Sequence, residues 1–502
     1  MTDPQWREIA GESNLTEGVP LTLKTGEEEI LLARIRGRIY ACGPKCNHYG
    51  APLSDGVLSD RIITCPWHSA RFNVTNGKLD AAPALDDLPC YPVKVENGRV
   101  FVGIAARPAI PRPSGEDHRT FAIIGAGAAG NAAAEMLRRE GFAGRILLVT
   151  AEEDGPYDRP NLSKEFLAGK APAEWIPLRS KEFYSDHGIE LLTNHRVTEL
   201  NPVDRTITFE NGKRVGFDRA LLATGGTPRN LAIPGADLNG VFVLRSLADA
   251  RALLAALKEA ESAVVLGAGF IGMEVAASLR EQNLEVHVVA PEKTPMEKVF
   301  GDRIGKWIQG LHERNGVHFH LETTAKEIQG DKRVQKVVLT DGTQIKADLV
   351  VVGVGVVPAI RYLQGTGLVA SGAVPVDDRL ETKVEGIFAA GDIALVPDGR
   401  TGELQRVEHW WVAENQGRHA ARAMLGREEM YDETPFFWTR QCGKSIQYCG
   451  FAPRFDRIDY EGAVEDGKFL ARYYADEDLK AAAAVGRPKE IIAIARELRG
   501  QS

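Results

Sequence analysis

Two glycine loops, 142 residues apart, constrain this chain more than any other feature. The first, Gly125-Ala126-Gly127-Ala128-Ala129-Gly130, follows the apolar run Phe121-Ala122-Ile123-Ile124 and opens an alanine-rich stretch reaching Arg138. The second, Gly267-Ala268-Gly269-Phe270-Ile271-Gly272, follows Val264-Val265-Leu266. Each is a G-x-G-x-x-G placed between a strand pattern and a helix pattern. Glycine there lets the backbone turn tightly and approach a pyrophosphate at the helix N-terminus. One match is a weak signal; two in the same context point to two dinucleotide sites. Residues 120–150 and 262–290 share the pattern, so the chain contains an internal repeat. The alternative is that the glycines serve only close helix–strand packing.

The 502 residues suggest about three domains at roughly 150 residues each. Residues 1–106 read as short strands and turns. Leu21-Thr22-Leu23, Ile30-Leu31-Leu32-Ala33-Arg34-Ile35, Ile39-Tyr40-Ala41 and the stretch 91–95 are strand-like, and Asn97-Gly98 marks a hairpin. Residues 107–118 carry three prolines and no apolar period, which predicts a stiff linker. From Thr120 short apolar runs alternate with glycine loops and helical stretches, the pattern of α/β units with parallel strands. From about Tyr431 the composition turns aromatic and strand-like and ends in a helix near residues 488–499. The fold class is therefore multidomain: an all-β module, two Rossmann-like α/β domains and a C-terminal α+β domain. A net charge of −8 argues against a basic nucleic-acid binder. No apolar run approaches the length of a membrane span, and the polar first residues predict no targeting peptide.

A second constellation lies in the N-terminal module. Cys46-Asn47-His48 is followed by Cys65-Pro66-Trp67-His68, so each of two loops offers one thiol and one imidazole. That set suits a [2Fe–2S] cluster with both cysteines on one iron and both histidines on the other. Neutral histidine ligands raise the potential above that of an all-cysteine cluster. The bland alternative is a tetrahedral Cys2His2 zinc site, although zinc modules more often use C-x-x-C with H-x₃₋₅-H. Six cysteines are too few for a disulfide scaffold, and Cys42, Cys90, Cys442 and Cys449 read as buried free thiols. An acid is expected after the second strand of each dinucleotide unit, to meet a ribose hydroxyl. Glu152 or Glu153 stands there in the first, with Ala151 nearest the expected position, and Glu292 in the second. Glu292 favours NADH; Lys293 beside it is the feature that favours NADPH.

Residues 46–72 resemble a Rieske ferredoxin, including the Pro66-Trp67 pair. Neither loop offers the extra cysteine of disulfide-bearing members, and Phe72 stands where high-potential members tend to have tyrosine. The resemblance is to the low-potential branch, implying a value on the order of −150 mV. Residues from about 120 to 499 resemble the two-dinucleotide flavoprotein reductases, which include apoptosis-inducing factor and the ferredoxin reductases of oxygenase systems. The motifs are Pro156-Tyr157-Asp158-Arg159-Pro160-Asn161-Leu162-Ser163-Lys164, Ala223-Thr224-Gly225-Gly226, Gly353-Val354-Gly355-Val356-Val357-Pro358, Phe388-Ala389-Ala390-Gly391-Asp392, Glu408-His409-Trp410 and Phe437-Trp438. With the Rieske module in front, the whole chain is similar to the Rieske-containing, apoptosis-inducing-factor-like branch.

That resemblance implies a Rieske domain at 1–106, a linker at 107–118 and an FAD domain at 119–234 and 357–430. It places an NAD(P)H domain at 235–356 and a C-terminal interface domain at 431–502. FAD contacts fall on Gly125, Gly127, Gly130, Glu152, Arg159, Lys164, Ala223, Thr224, Gly225, Asp392, Glu408, His409 and Trp410. NAD contacts fall on Gly267, Gly269, Phe270, Ile271, Gly272, Glu274, Glu292 and Gly355. Lys164 is expected near the flavin, oriented by Glu274, and Trp438 near the nicotinamide. From the residues alone, Glu274 has a solvent-facing alternative and Trp438 a core alternative.

The disulfide reductases share the two-loop plan, but they need a cysteine pair that residues 161–167 lack. The expected activity is transfer from NADH, through FAD and the cluster, to an outside oxygenase, cytochrome or ferredoxin, in a cytoplasmic monomer or homodimer. His48 and His68 are expected at a tip that a flexible linker lets visit both flavin and acceptor. The alternative is a slow, NADH-sensing signalling protein.

Overall fold

The computed structural model describes residues 6–103, 110, 114–399 and 401–500. Residues 107–109 and 111–113, half of the expected linker, lie outside that set.

The N-terminal module consists of small antiparallel sheets. One joins Arg7–Gly11, Arg99–Val102 and Val93–Glu96; a second joins Leu21–Thr25, Glu28–Ile35, Arg38–Cys42 and Cys90–Tyr91. Asn97 and Gly98 both have positive φ, +51° and +73°, and close the expected hairpin. The single strand expected at 91–95 is divided. Cys90–Tyr91 pairs with one sheet and Val93–Glu96 with the other. Pro92 stands between them, and its missing N–H breaks the ladder there. A third sheet, Val57–Ser59, Ile62–Thr64, Arg71–Asn73 and Leu79–Ala81, carries the second Cys/His loop between its middle strands.

The internal repeat becomes two copies of one plan. The first is a five-stranded parallel sheet in the order Ile189–Leu192, Arg145–Val149, Thr120–Ile124, Arg219–Leu222, Ile387–Ala389. The second runs Val317–His320, Glu285–Val289, Ser262–Leu266, Leu349–Val352, Val241–Val243. Covered on both faces, such strands become continuous apolar runs. Ile146, Leu147 and Leu148 are wholly buried in the first sheet and Val264 and Val265 in the second. Each glycine loop leaves its sheet's central strand, so both open at the carboxyl ends where ligands of such sheets bind. A two-stranded antiparallel ribbon, Gly226–Pro228 with Val356–Pro358, links the copies.

The C-terminal part is a five-stranded antiparallel sheet, Phe436–Gln441, Lys444–Gly450, Asp478–Val485, Lys468–Ala475 and Arg457–Ala463. The helix Pro488–Leu498 buries Ile491, Ile492 and Ile494. Ala81 of the N-terminal module shares a core cluster with Trp411, Phe436, Leu470 and Ile491. Among the described residues, no helix is long and apolar enough to cross a membrane.

Candidate functional site

The two glycine loops have the same geometry. Gly125 and Gly267 both hold φ of +109°, which glycine alone adopts without strain. A Cβ on Gly125 would lie 2.2 Å from the Ala223 carbonyl oxygen, and one on Gly267 2.4 Å from that of Gly353. The middle glycines differ: a Cβ on Gly127 or Gly269 meets nothing within 4 Å. Those Cβ positions point into open space, the approach a pyrophosphate needs. The third glycines, Gly130 and Gly272, do not reach that space. Each lies under its own loop, where a Cβ would come within 1.8 and 2.1 Å of the Gly125 and Gly267 oxygens. What the structure shows for these two glycines is close packing of helix on loop.

Both loops border one cavity of about 1460 Å³. That exceeds the roughly 300–1,000 Å³ of a single small-ligand pocket and suits two extended dinucleotides. On its first-copy side lie Gly125, Gly127, Glu152, Arg159, Lys164, Ala223, Thr224, Gly225, Asp392, Glu408, His409 and Trp410. On the other lie Gly267, Gly269, Phe270, Ile271, Glu274, Glu292 and Gly355. Glu153 and Lys293 do not line it. Of the two candidate acids Glu152 is the one at the cavity: its Oε1 accepts from Arg159 at 3.1 Å and its Oε2 from the Tyr157 hydroxyl at 2.6 Å. Asp392 accepts from Arg245 at 2.9 Å, and Arg245 is a cavity residue that no sequence motif marked. Burial lowers the His409 pKa to about 4, so its ring is neutral against Phe437.

Lys164 and Glu274 meet, with Nζ to Oε2 at 2.8 Å. Glu274 is 3% exposed, which removes the solvent-facing alternative. Its carboxylate also accepts from Ser163 at 2.5 Å and Thr439 at 2.6 Å. Behind Thr439 runs a buried string that sequence reasoning missed. Gln441 donates to the Thr439 hydroxyl at 2.8 Å, and the His312 Nε2–H donates to Gln441 Oε1 at 2.9 Å. Burial lowers the His312 pKa to about 4, which keeps the imidazole neutral and in that role. A buried charge needs such partners, and they come from three separate parts of the chain.

The Cys/His loops fold alike. In one, Cys46 N–H donates to Ala51 and Gly50 N–H to Cys46; in the other, Cys65 N–H donates to Ala70 and Ser69 N–H to Cys65. Gly50 and Ser69 close the two turns with φ of +77° and +60°. The thiols of Cys46 and Cys65 are buried and in hydrogen-bond contact. On the other side, His48 Nδ1 and His68 Nδ1 are 2.9 Å apart. Among the described residues no three His, Cys, Asp or Glu donors converge on one point. A zinc ion needs four donors there. Two separate pairs are what a two-iron cluster asks of its protein. The other four cysteines are free thiols, buried at Cys42 and Cys449 and half-buried at Cys90 and Cys442. No described cysteine lines the large cavity.

The histidine tip lies against the reductase in this structure. His68 lies against Trp438 with ring centroids 4.3 Å apart, and His48 is 5.8 Å from the same indole. Trp438 also lines the cavity. Gln447 donates to the carbonyls of Pro66 and Trp67, Tyr49 donates to Asp158, and Ala82 N–H donates to Asn415. Arg71 pairs with Glu433, Arg139 with Asp87, and Arg179 with Asp86. In this structure the two ligand loops rest on the reductase through Gln447 and Asp158, and the rest of the module adds Ala82, Arg71, Asp86 and Asp87 to that contact.

A parallel α/β pair with twin dinucleotide loops, sharing a wall with a Cys2His2 cluster site, defines a Rieske-fused two-dinucleotide oxidoreductase. The chain belongs to the pyridine nucleotide-disulphide oxidoreductase family, whose model matches residues 119–417. The Rieske [2Fe-2S] domain model matches residues 5–92 and the reductase C-terminal model residues 436–501. Apoptosis-inducing factor 3 of Mus musculus is 37% identical over 97% of this chain and 84% of its own. Rhodocoxin reductase of Rhodococcus erythropolis is 35% identical over 74% of this chain and 88% of its own. The crystal structure of the covalent putidaredoxin reductase–putidaredoxin complex superposes with a TM-score of 0.73 at 29% identity, over 77% of this chain and 94% of that one. The cofactors are FAD, NAD(P)H and a Rieske [2Fe–2S] cluster, and the open middle glycines and paired ligand loops fit them.

Proposed function

We propose that this protein carries electrons from NADH through FAD to its own Rieske cluster and on to an external redox protein. The observation that carries the reading is the shared wall. Trp438 lines the dinucleotide cavity on one face and packs against His68 on the other. FAD takes two electrons together as a hydride from nicotinamide and releases them singly, which a one-electron cluster requires. The chain's own residues do the rest. Gly125 and Gly127 hold the first pyrophosphate and Glu152 its ribose, with Gly130 bracing the loop. Thr224, Gly225, Asp392, Glu408, His409 and Trp410 border the remainder of the FAD in 119–234 and 357–430. Gly267, Gly269, Phe270, Ile271 and Gly355 border the nicotinamide dinucleotide in 235–356. Lys164 Nζ is held toward the flavin by Glu274. Trp438 excludes water between the cavity and His68.

NADH is favoured over NADPH because Glu292 faces the cavity and Lys293 does not. A carboxylate accepts from a ribose 2′-hydroxyl and repels a 2′-phosphate. The names of the relatives point to a ferredoxin or an oxygenase as the acceptor class. Six cysteines without a disulfide, two of them given to the cluster, suit the reducing cytoplasm. The slow-sensing alternative gives a docked cluster no task.

The test is His68→Ala in the purified protein. NADH reduction of a small dye is expected to persist, while reduction of a cytochrome through the cluster disappears. Undiminished cytochrome reduction in that variant would sink the proposal.

A further inference from the structure

The strands that frame the cluster loops hold a second pair of thiols. Cys42 ends the strand that leads into the first ligand loop, and Cys90 opens the short strand Cys90–Tyr91. The two stand directly opposite one another in antiparallel register. Gly43 N–H donates to the Pro89 carbonyl at 2.9 Å, which makes the adjoining Gly43 and Pro89 positions the hydrogen-bonded ones. Cys42 and Cys90 are then a non-hydrogen-bonded pair, the kind whose Cα atoms lie about 4.5 Å apart with side chains on one face. A disulfide accepts Cα separations of about 4.4–6.8 Å. Both thiols enter one apolar cluster: Cys42 is buried within it, as are Cys46 and Cys65, and Cys90 packs on its edge. Both are free, and Cys90 is the half-buried one.

Their place in the chain gives the pair its consequence. All four cluster donors, Cys46, His48, Cys65 and His68, lie between residues 42 and 90. The neck of that segment is closed by two paired positions, Ala41 with Tyr91 and Cys42 with Cys90, and by the Gly43–Pro89 bond. A cross-link at the neck restricts the opened chain far more than the folded one. It would keep the two ligand loops together when either lets go of the cluster.

We propose that Cys42 and Cys90 are a redox clasp, joined as a disulfide by hydrogen peroxide and reopened by a dithiol. The half-buried Cys90 sulfur attacks one peroxide oxygen and the O–O bond breaks. Its proton leaves with the other oxygen as water, and a sulfenic acid remains. The Cys42 sulfur then attacks the Cys90 sulfur. The S–S bond forms, the S–O bond breaks, and the departing hydroxide takes the Cys42 proton as a second water. The two thiols lose two electrons in all and the peroxide gains them; a dithiol reverses the bond by exchange. Burial pushes both thiols up, helped by the neighbouring Cys90 thiol at Cys42 and by Asp87 at Cys90. Because the thiolate is the nucleophile, the pair stays reduced at rest and closes under sustained oxidant. Disulfides in a reducing compartment are of this transient kind. The clasp is independent of the electron-transfer reading and needs only the cluster that the two loops hold.

The experiment exposes the full holoprotein to hydrogen peroxide, blocks free thiols with iodoacetamide in denaturant, and digests it for mass spectrometry. A Cys42–Cys90 cross-linked peptide is expected, absent from the untreated protein and lost again with dithiothreitol. Visible absorbance in excess chelator then reads how fast the cluster leaves. The cross-linked protein is expected to lose it about tenfold or more slowly than the same sample reopened and desalted, within the range that a loop-closing disulfide adds to stability. Cys90→Ser, treated alike, is expected to show no difference between the two states. If that variant misfolds, the comparison of oxidised and reopened wild type still decides. Free Cys42 and Cys90 after peroxide, or a bridge between Cys46 and Cys65 in their place, overturns the clasp. So does a Cys42–Cys90 cross-link that leaves the rate of cluster loss unchanged.

Discussion

The two dinucleotide units share a strand order and a loop geometry, yet they treat their ligand space differently. In the first, Ala129 is 4% exposed; the equivalent Ile271 of the second is 45% exposed. The cause is the helix Trp410–Met424, which crosses the first glycine-loop helix at Gly417. A Cβ on Gly417 would lie 2.0 Å from the Ala129 carbonyl oxygen, so only glycine permits the crossing. Among the described residues no equivalent helix covers the second unit, and Val354 and Val357 beside it are exposed as well. One fold therefore provides a sealed space and an open one, and on the proposed reading the sealed space is the berth of FAD and the open one that of the nicotinamide dinucleotide. The glycine motif alone does not distinguish them; what packs on top of it does.

Several variants break or sharpen this contrast, and the largest effect belongs to the seal. Gly417→Val forces the crossing apart and should cost about 3 kcal/mol or more. Urea unfolding and flavin retention on gel filtration measure it. Gly269→Ala in the open unit, with free space at its Cβ, should leave stability intact and raise KM for NADH.

Acid should act on the joint between the open unit and the C-terminal sheet. His312, pinned to Gln441, is held near pKa 4 by burial and returns toward 6.5 on unfolding. The unfolded chain then takes its proton first as pH falls. Stability contributed by this group is complete above pH 6.5 and declines between 6.5 and 4, by about 3 kcal/mol in all. His312→Leu should flatten that part of the stability–pH curve; an unchanged slope would count against the pinned, neutral imidazole.

Thr439→Val removes one hydroxyl donor from the Glu274 carboxylate. A hydrogen bond to a buried charge is worth about 1.5–3 kcal/mol, so flavin reduction should slow by roughly tenfold to a hundredfold. Stopped-flow bleaching under anaerobic NADH reads this directly, and Thr439→Ser should restore most of the rate. The smallest effect is expected at the open berth's rim. Glu292→Gln should raise KM for NADH about tenfold at unchanged kcat, the size of one charge-assisted hydrogen bond. The preference over NADPH should narrow with it.

Much of the site was readable from the chain. The two glycine loops and the Cys46–His48 and Cys65–His68 pairs announce themselves by local spacing, whereas Lys164 and Glu274 were marked only by the family resemblance. The chemistry of the loops and pairs demands particular residues at fixed offsets along a turn or a helix start. The rest has no such signature. Ser163, Thr439, Gln441 and His312 are ordinary polar residues until folding brings them into one buried string. Arg245 is a single arginine after a short strand, and its partner Asp392 is far along the chain. The docking of the N-terminal module through Gln447, Asp158 and Asn415 was equally invisible, because each of those partners lies far along the chain.

By itself, then, the sequence determined the module order, both dinucleotide loops and the four cluster donors. Each depends on backbone geometry within a few residues, where glycine, proline, cysteine and histidine leave few alternatives. Only the tertiary structure decided which berth is sealed, where Trp438 stands and how Lys164 meets Glu274. Those outcomes rest on burial and on contacts between distant segments. A carboxylate such as Glu274 acquires its meaning only from the groups that desolvate and pair it.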